Sequence, residues 1–304
     1  MNDPRLLPDP NLLPDPARHG RYVIRPLAGH DEFARCVAFQ EAVWGEGFAE
    51  RVPGAILMVA QRLGGLVAGA FDGDEMVAFV FGLTGVERGE PVHWSDMLAV
   101  RSDLRDEGLG LALKRYQGRV MLERGVRRVR WTFDPLESRN AWLNLHKLGA
   151  TAPEYHVDLY GASNSPLHAG IGTDRFVVCW RLDAPHVRAF LENESSTAAL
   201  GSGAQEPPAA GRAGPTAVRI LAEAAEPHPA GPAPGVPAAV DALTPAVDAL
   251  TPAVDALAPE SDALDPECDA LVAIPADIQA IKAADAGLAG AWRAATRAAL
   301  QPLV

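Results

Sequence analysis

A glycine-bearing turn between a strand-like and a helix-like segment is the part of the chain best suited to chemistry. Residues 93–100 have the pattern of a strand, residues 111–120 have the pattern of an amphipathic helix, and Gly108 and Gly110 lie between them. Glycine has no Cβ, so backbone amides at such a turn can approach a diphosphate closely, and the helix dipole favours negative charge there. The spacing predicts an anion-binding turn, although a plain strand-turn-helix connection would also use glycines.

Nucleotide-binding motifs of two other kinds fit this turn less well. Leu113 stands where a dinucleotide-binding motif would need its third glycine, and no Gly-Lys-Ser/Thr follows as in a P-loop. Seven basic residues on or just after the predicted helix would supply a positive field for a phosphorylated ligand, or else form a solvated helix face: Lys114, Arg115, Arg119, Arg124, Arg127, Arg128 and Arg130.

A single carboxylate, Asp96, precedes the turn within the candidate strand. Strand periodicity predicts that Trp94, Asp96, Leu98 and Val100 share one face. Apolar neighbours would raise the pKa of the Asp96 carboxyl group and suit it to general-base catalysis. A paired structural carboxylate is the alternative.

Composition excludes several classes of function. The 304 residues include 27 Lys+Arg and 39 Asp+Glu, and the net charge of −12 disfavours nucleic-acid binding. The three cysteines, Cys36, Cys179 and Cys268, lack metal-ligand spacing, and we find no secretory leader pattern, so we expect a cytoplasmic protein without a metal. No apolar run approaches the roughly 20 residues of a membrane helix, so no membrane association is expected.

The elements that must position these residues lie between residues 21 and 184. Hydrophobic periodicity there predicts about seven strands and four helices, with Gly45 ending the first helix, Pro53 starting the second and Asp72-Gly73 forming a hairpin turn. Only the crossover through the helix after Gly110 forces a parallel strand pair. The pattern therefore predicts an α/β (α+β) fold, a mixed sheet with helices on both faces.

This element order, with Arg105-Asp106-Glu107-Gly108-Leu109-Gly110 after Val100, resembles the GNAT superfamily of N-acyltransferases over roughly residues 20–184. The resemblance implies acetyl-CoA or another acyl-CoA as co-substrate. It also implies the residues that would contact the co-substrate: Leu98, Val100, Arg105, Gly108, Leu109, Gly110, Leu111, Asn140 and Asn144.

The same resemblance implies catalytic roles. Asp96 would accept the proton of the amine directly or through water, with Glu41 as the alternative at the end of a water chain, and backbone near Leu98 would orient the thioester. Many members protonate the leaving thiolate with a tyrosine, but Leu145 stands at that position here, so the acid is missing or supplied elsewhere. The acceptor side would include Trp44, Trp94 and Arg175.

A narrower resemblance concerns residues 170–182 together with 274–297. These segments resemble a little-studied GNAT subgroup that includes amino-acid N-succinyltransferases. Arg175 would then hold an acceptor carboxylate or a succinyl group with two hydrogen bonds. Alternatively, Asp174 and Arg175 form a surface ion pair within a turn.

The chain thus divides into a flexible proline-rich arm (1–20), a GNAT domain (21–184), a low-complexity spacer (185–270) and a C-terminal helical segment (271–304). Asp-Ala-Leu recurs every seven residues in the spacer, but a proline in each repeat excludes a coiled coil. Asp277 and Asp285 are expected to cap two short helices that dock on the domain or a partner subunit. Their apolar face would contain Ile278, Ile281, Leu288, Trp292 and Leu300.

These features predict an N-acyltransferase that transfers an acetyl or succinyl group from acyl-CoA to a primary amine of a small molecule or amino acid. A catalytically silent CoA-binding or assembly module is an alternative from another class, and a protein N-terminal acetyltransferase is a second alternative. A homodimer stays open as the assembly.

Overall fold

The computed structural model describes residues 14–161, 170–192, 215–221 and 269–300. Its central sheet contains eight strands: β1 (Ala17–His19), β2 (Tyr22–Pro26), β3 (Leu66–Asp72), β4 (Glu75–Glu87), β5 (Glu90–Val100), β6 (Arg128–Phe133), β7 (Thr151–His156) and β8 (Arg175–Arg181). They lie in the order β1-β2-β3-β4-β5-β6-β8-β7, and only β5 and β6 pair in parallel. The predicted mixed α/β fold is confirmed, with one strand more than expected.

Helices cover both faces of this sheet. They are α1 (Gly29–Trp44), α2 (Gly54–Arg62), α3 (Leu109–Glu123), α4 (Ser138–Ala141), α5 (Pro185–Glu192), α6 (Ile278–Ala284) and α7 (Ala286–Leu300). A short 3-10 turn spans Ser102–Leu104, and α4 continues as a π-helical turn over Trp142–Lys147. As predicted, α1 ends at Gly45, whose φ is 103°, and Pro53 precedes α2. Within the described residues, no helix combines the length and apolar character that a membrane span requires.

The sheet separates two apolar cores. The larger one lies between the sheet, α3 and α5 and includes Leu113, Met121 and Trp180, whose indole Nε1 donates a 2.9 Å hydrogen bond to the Leu148 carbonyl. The smaller one lies under α1 and α2 and includes Leu57 and Phe79. We refer to these as the α3 face and the α1/α2 face of the sheet.

A β-bulge in β5 changes which residues lie on each face. Phe81 of β4 pairs with Met97 and Gly82 pairs with Ser95, so Asp96 is the extra residue. Before the bulge, Ser95 contacts α3; after it, Leu98 packs in the core on the α3 face. The prediction that Trp94, Asp96, Leu98 and Val100 share a face was therefore wrong, because a bulge inserts one residue into the two-residue period.

The boundaries of the folded domain differ from those predicted at both ends. Ala17–His19, within the predicted arm, forms β1 and pairs with β2. Beyond residue 184, helix α5 buries Val187, Phe190 and Leu191 in the core of the α3 face, so the domain extends to at least residue 192. Residues 1–13 of the arm lie outside the described residues.

Part of the predicted spacer is paired. Strand β9 (Pro215–Leu221) and strand β10 (Asp269–Pro275) form a two-stranded antiparallel sheet. The seven-residue repeats that begin at residues 241 to 262 lie outside the described residues.

The C-terminal helices dock on the domain, and both expected caps are present. The Asp277 carboxylate accepts from the Ala280 amide at 2.9 Å, and the Asp285 carboxylate accepts from the Leu288 amide at 3.0 Å. Ile278 and Trp292 are buried in a small core together with Leu136 and Ile171 of the domain, with Ile281 packed against it. Leu300 is buried against the larger core, whereas Leu288 is 45% exposed, contrary to the prediction.

Candidate active site

Strands β5 and β6 diverge and open a gap in the sheet. Their parallel ladder has three pairs and ends at Trp94 and Arg130, although β5 continues to Val100 and β6 continues to Phe133. Among the described strands, none fills this gap, so the backbone of β5 beyond Trp94 is accessible on the side of β6. We call this opening the strand gap.

The N-terminus of α3 lies beside the strand gap. Gly108 is the N-cap residue, with φ 74° and ψ 6°, and no side chain of the described residues accepts a hydrogen bond from the first helical amides. These amides, at Leu109, Gly110 and Leu111, can therefore serve a ligand or water. A Cβ added at Gly110 would meet only the Leu98 side chain, at 3.6 Å. Contact with Leu98 places the helix end against β5.

The turn before α3 is held in place by the first two strands. The Tyr22 hydroxyl donates to the Glu107 carboxylate at 2.5 Å, and His19 Nε2 donates to the Glu107 carbonyl at 2.8 Å. On the other side, Arg139 of α4 lies 3.7 Å from the carboxylate of Asp106. Arg105 is exposed. The chain thus fixes the backbone of the turn and leaves its outer surface open.

Asp96 lies at the bulge and is exposed to solvent. Desolvation by its surroundings raises the pKa of the carboxyl group, and a hydrogen bond with the Trp94 side chain opposes that rise. Trp94 pairs with Leu83 on the α1/α2 face, opposite the face on which Ser95 contacts α3. Asp96 therefore borders the strand gap with a raised pKa, as a general base requires.

The residues expected to assist Asp96 from α1 lie elsewhere. The carboxylate of Glu41 forms an ion pair with Arg51, and none of its described contacts reaches Asp96. Trp44 is partly buried and stacks on Phe48, with ring centroids 5.4 Å apart. It also packs edge-on against Phe79, with ring centroids 6.1 Å apart. Nothing in this arrangement supports a water chain from Asp96 to Glu41.

The candidate residues of α4 and its π-helical extension differ in accessibility. Asn140 is exposed and Asn144 is 4% exposed. Leu145 packs against the core of the α3 face, so it offers no proton to a leaving group. The ring of His146 stacks on Trp142 with ring centroids 3.8 Å apart. Burial, assisted by the charge of Lys147, lowers the pKa of His146.

Arg175 is buried rather than available at a surface. Its side chain is 7% exposed, and its guanidinium lies 3.5 Å from the Asp134 carboxylate and donates to the Asp174 carbonyl at 2.8 Å. Arg293 of α7 also donates to Asp134, at 2.6 Å. The structure thus places Arg175 in an internal ion network, and neither the expected acceptor contact nor the surface ion pair describes it.

Most of the seven basic residues do not face the turn. Arg124 donates to the carbonyls of Gly64 and Gly65, and Arg128 and Arg130 pair with carboxylates of β4, β5 and β7, namely Glu87, Glu90 and Glu154. Arg115 and Arg119, in the middle of α3, line a cavity of about 40 Å³ together with His19 and Tyr116. The predicted positive field therefore loses the contributions of Arg124, Arg128 and Arg130.

Sequence reasoning missed a buried polar chain on the α3 face. Lys114 Nζ donates to Ser95 Oγ at 2.8 Å and lies 3.8 Å from the centre of the Trp131 ring. Gln117 donates to His93 Nε2 at 3.0 Å, and the other His93 nitrogen contacts the Thr84 hydroxyl at 3.0 Å. The available signal was the spacing of Lys114 and Gln117, which places both on one face of a helix.

Burial controls the charges of this polar chain. It lowers the pKa of Lys114 to about 7. Burial, with the charges of Lys114 and Arg124, lowers the pKa of His93 to about 3. The histidine is therefore neutral at physiological pH, and the chain stabilises β5 just before the bulge without adding a fixed charge pair.

The described residues contain no group of three or more His, Cys, Asp and Glu side chains that could hold a metal ion. No protein-family model matches the sequence, and no curated protein matches it.

Solved structures that match part of this chain include acetyltransferases. The chain is 16% identical to a chain of the NatC complex bound to Gag peptide and CoA, covering 53% of this chain and 98% of that one, with a TM-score of 0.43. An acetyltransferase of the GNAT family from Streptococcus pneumoniae is 16% identical, with 52% and 97% covered and a TM-score of 0.42. The ribosomal-protein-S18-alanine N-acetyltransferase from Escherichia coli is 17% identical, with 54% and 95% covered and a TM-score of 0.41.

Proposed function

We propose that this protein is an acyl-CoA-dependent N-acyltransferase that transfers an acetyl or succinyl group to a primary amine of a small molecule or amino acid. One observation carries the proposal. The uncapped N-terminus of α3 and the accessible carboxylate of Asp96 lie at the same strand gap, joined by the backbone of β5 from Asp96 to Val100. An anion site and a general base are thus connected by a groove of open backbone groups.

Acyl-CoA would fit this groove by its chemistry. Its diphosphate is an anion suited to the amides of Leu109, Gly110 and Leu111, and its pantetheine amides are suited to the unpaired edge of β5 near Leu98 and Val100. When bound, it would supply an activated thioester. The residues present therefore fit the co-substrate at both its charged and its neutral parts.

Asp96 would act on the acceptor. An amine reaches an enzyme as an ammonium ion, which has no lone pair, so the Asp96 carboxylate would accept a proton directly or through water before the nitrogen attacks the thioester. The raised pKa makes Asp96 a stronger base than an ordinary aspartate. Its exposure at the bulge leaves room for the acceptor.

A silent CoA-binding module is the second candidate, favoured by the packing of Leu145 into the core. Both candidates bind CoA, and they differ in whether thiol is released. The protein is incubated with acetyl-CoA and with succinyl-CoA, each against a panel of amines, amino acids and peptide N-termini, while thiol release is followed and CoA binding is measured by calorimetry. Binding without thiol release for any pair would identify the silent module, and absence of CoA binding would refute both.

Asp96→Asn tests the base directly. The variant keeps volume and hydrogen bonding but cannot accept a proton, so turnover should fall by roughly 10²- to 10⁴-fold with CoA affinity unchanged. Wild-type activity should decline as pH falls through the raised pKa of Asp96, because the protonated carboxyl is inactive, and the variant should lack this acid limb. Asp74→Asn, at the exposed hairpin between β3 and β4, is the matched control. Wild-type turnover and an intact acid limb in Asp96→Asn would exclude Asp96 as the base.

A further inference from the structure

Tyr160 lies over the α1/α2 face of the sheet, at the edge of the strand gap. The residue is 49% exposed, and its hydroxyl is 2.8 Å from Thr132 Oγ1 of β6. Trp131 and Phe133, the neighbours of Thr132 along the strand, are buried in the core of the α3 face. Because successive side chains of a strand point to opposite faces, Thr132 and the Tyr160 hydroxyl lie on the α1/α2 face.

Asp96 borders the same gap from the opposite strand. The parallel ladder ends at Trp94 and Arg130; Asp96 lies two residues beyond Trp94, and Thr132 lies two residues beyond Arg130. The hydrogen bond with the Trp94 side chain places Asp96 on the α1/α2 face as well. A carboxylate and a phenol therefore face one opening from its two sides.

The turn that carries Tyr160 is held by the C-terminal helix. Arg297 of α7 donates to the Asp158 carboxylate at 3.2 Å and to the two Asp174 carboxylate oxygens at 2.5 and 2.9 Å. The Gly161 amide donates to the Asp158 carbonyl at 2.8 Å and closes the turn. Arg297 thus connects α7 to the turn Asp158–Gly161 and to the residue before β8.

Asp158 is conformationally demanding, which increases the need for this support. Its φ is 47°, in the left-handed region that non-glycine residues seldom adopt. Its amide donates to the Asp174 carboxylate at 3.1 Å, and its own carboxylate accepts from the Thr173 amide at 3.1 Å. Strained backbone of this kind persists only where surrounding contacts determine it.

Asp174 is the centre of these contacts, and its side chain is fully buried. Burial alone would raise the pKa of its carboxyl group, but hydrogen bonds from Arg297 and Tyr155 outweigh that effect and lower it. Removal of Arg297 would leave a buried carboxylate without that cation, which is unfavourable unless the turn rearranges.

We propose that Arg297 is a positioning residue for the acceptor amine: through Asp158 and Asp174, the C-terminal helix fixes Tyr160 as the wall of the acceptor site opposite Asp96. This inference rests on the proposed N-acyltransferase activity and assigns the docked C-terminal segment to it. A primary ammonium group would lie between the Asp96 carboxylate and the Tyr160 hydroxyl.

Arg293 provides an internal contrast. It lies one helical turn before Arg297 on α7, but it donates to Asp134 and to the Ile171 carbonyl rather than to the Tyr160 turn. Arg175, which shares Asp134 with Arg293, lies with its guanidinium 5.4 Å from the centre of the Tyr160 ring. Arg293 therefore reaches Tyr160 only through Asp134 and Arg175, whereas Arg297 binds the carboxylate of the Tyr160 turn itself. Asp277→Ala is the control, because it removes the cap of α6 and weakens the C-terminal segment without changing the contacts of Arg297.

The test uses full-length wild type, Arg297→Ala, Arg297→Lys, Tyr160→Phe and Asp277→Ala, with the most active amine of the panel. Arg297→Ala should raise the acceptor KM about tenfold, equivalent to about 1.4 kcal/mol, and leave the Kd for CoA within about twofold. Arg297→Lys should recover part of the loss, and Asp277→Ala should leave KM unchanged. Because Arg297 acts through Tyr160, the double variant with Tyr160→Phe should lose less than the sum of the two losses.

A folded Arg297→Ala variant with wild-type acceptor KM, or additive losses in the double variant, would overturn this inference. If Arg297→Ala does not fold, the same comparison is made between Arg297→Lys and Tyr160→Phe, and an unchanged KM in both is the contrary result. Failure of the proposed function is distinguishable, because then the wild type itself releases no thiol or binds no CoA.

Discussion

Polar groups are exposed in the turn before α3 and buried in the cluster of Asp134 and Asp174 under the C-terminal helix. At the turn, the first amides of a 15-residue helix receive no cap from any side chain that the structure describes, and Arg105, Asp106 and Gly108 are exposed. In the cluster, the carboxylates of Asp134 and Asp174 accept from arginines of α7 and are buried. The first region leaves backbone donors available for a ligand, whereas the second uses its charges to join two parts of the chain.

This difference predicts which substitutions should change ligand affinity and which should change the stability of the fold. Open donors beside a groove contribute little to stability, so their loss should change ligand affinity and leave the fold intact. Buried charges with partners should behave in the opposite manner, since removing one partner leaves the other desolvated.

Asp134→Asn should have the largest effect on stability, because Asp134 is a buried carboxylate of the C-terminal cluster. The variant keeps an acceptor for the Leu136 amide but leaves Arg175 and Arg293 buried without the carboxylate, so the free energy of unfolding should fall by about 3–5 kcal/mol. Denaturant unfolding measures it. Asp183→Asn, which removes a half-exposed partner of Arg181, is the control and should change stability by less than about 1 kcal/mol. Equal effects in the two variants would contradict this account.

Lys114 is a buried cation of a different kind from the arginines of α7, because its described contacts include no carboxylate. Its pKa is about 7 in the folded protein, against about 10.4 in an unfolded chain. Between these values the unfolded chain binds the additional proton, so stability should rise with pH by up to about 1.4 kcal/mol per unit. Lys114→Met should remove this rise, as measured by denaturant unfolding from pH 7 to 9. An identical slope in the variant would show that Lys114 stays charged.

Gly110→Asp tests the open turn. The new Cβ would meet only the Leu98 side chain at 3.6 Å, so the fold should survive. Its negative charge beside the helix N-terminus should weaken CoA binding about tenfold or more, which corresponds to about 1.4 kcal/mol. Gly290→Asp on α7, where an added Cβ meets nothing within 4 Å, is the matched control for calorimetry. Unchanged CoA affinity in folded Gly110→Asp would remove the anion site from this turn.

The smallest expected effect concerns a cap in the C-terminal segment. Asp277→Ala removes the acceptor of the Ala280 amide and should cost about 1 kcal/mol of stability. Hydrogen exchange should show faster opening of α6 with α3 unaffected. A loss as large as that of Asp134→Asn would mean that the C-terminal segment and the sheet unfold as one unit.

Local features were predictable because a few neighbouring residues determine them. The ends of α1 and α2, the hairpin at Gly73, the glycine turn before α3 and the caps of α6 and α7 each depend on residues within one or two turns of chain. The parallel pair among the described strands also followed from segment order, since only a helical crossover permits parallel pairing. The position of β8 between β6 and β7 was not predicted.

Tertiary structure alone decided which side chains meet across the sheet and the C-terminal helix. The bulge at Asp96 depends on pairing with β4, and it moves Trp94 and Leu98 to opposite faces. Arg175 was expected at a surface, yet Arg293, from a helix more than 100 residues later, joins it at Asp134. By itself, the sequence determined the strand-turn-helix that can bind an anion; the packing of distant segments determined which charges are buried, because burial depends on what covers a residue and not on its neighbours in the chain.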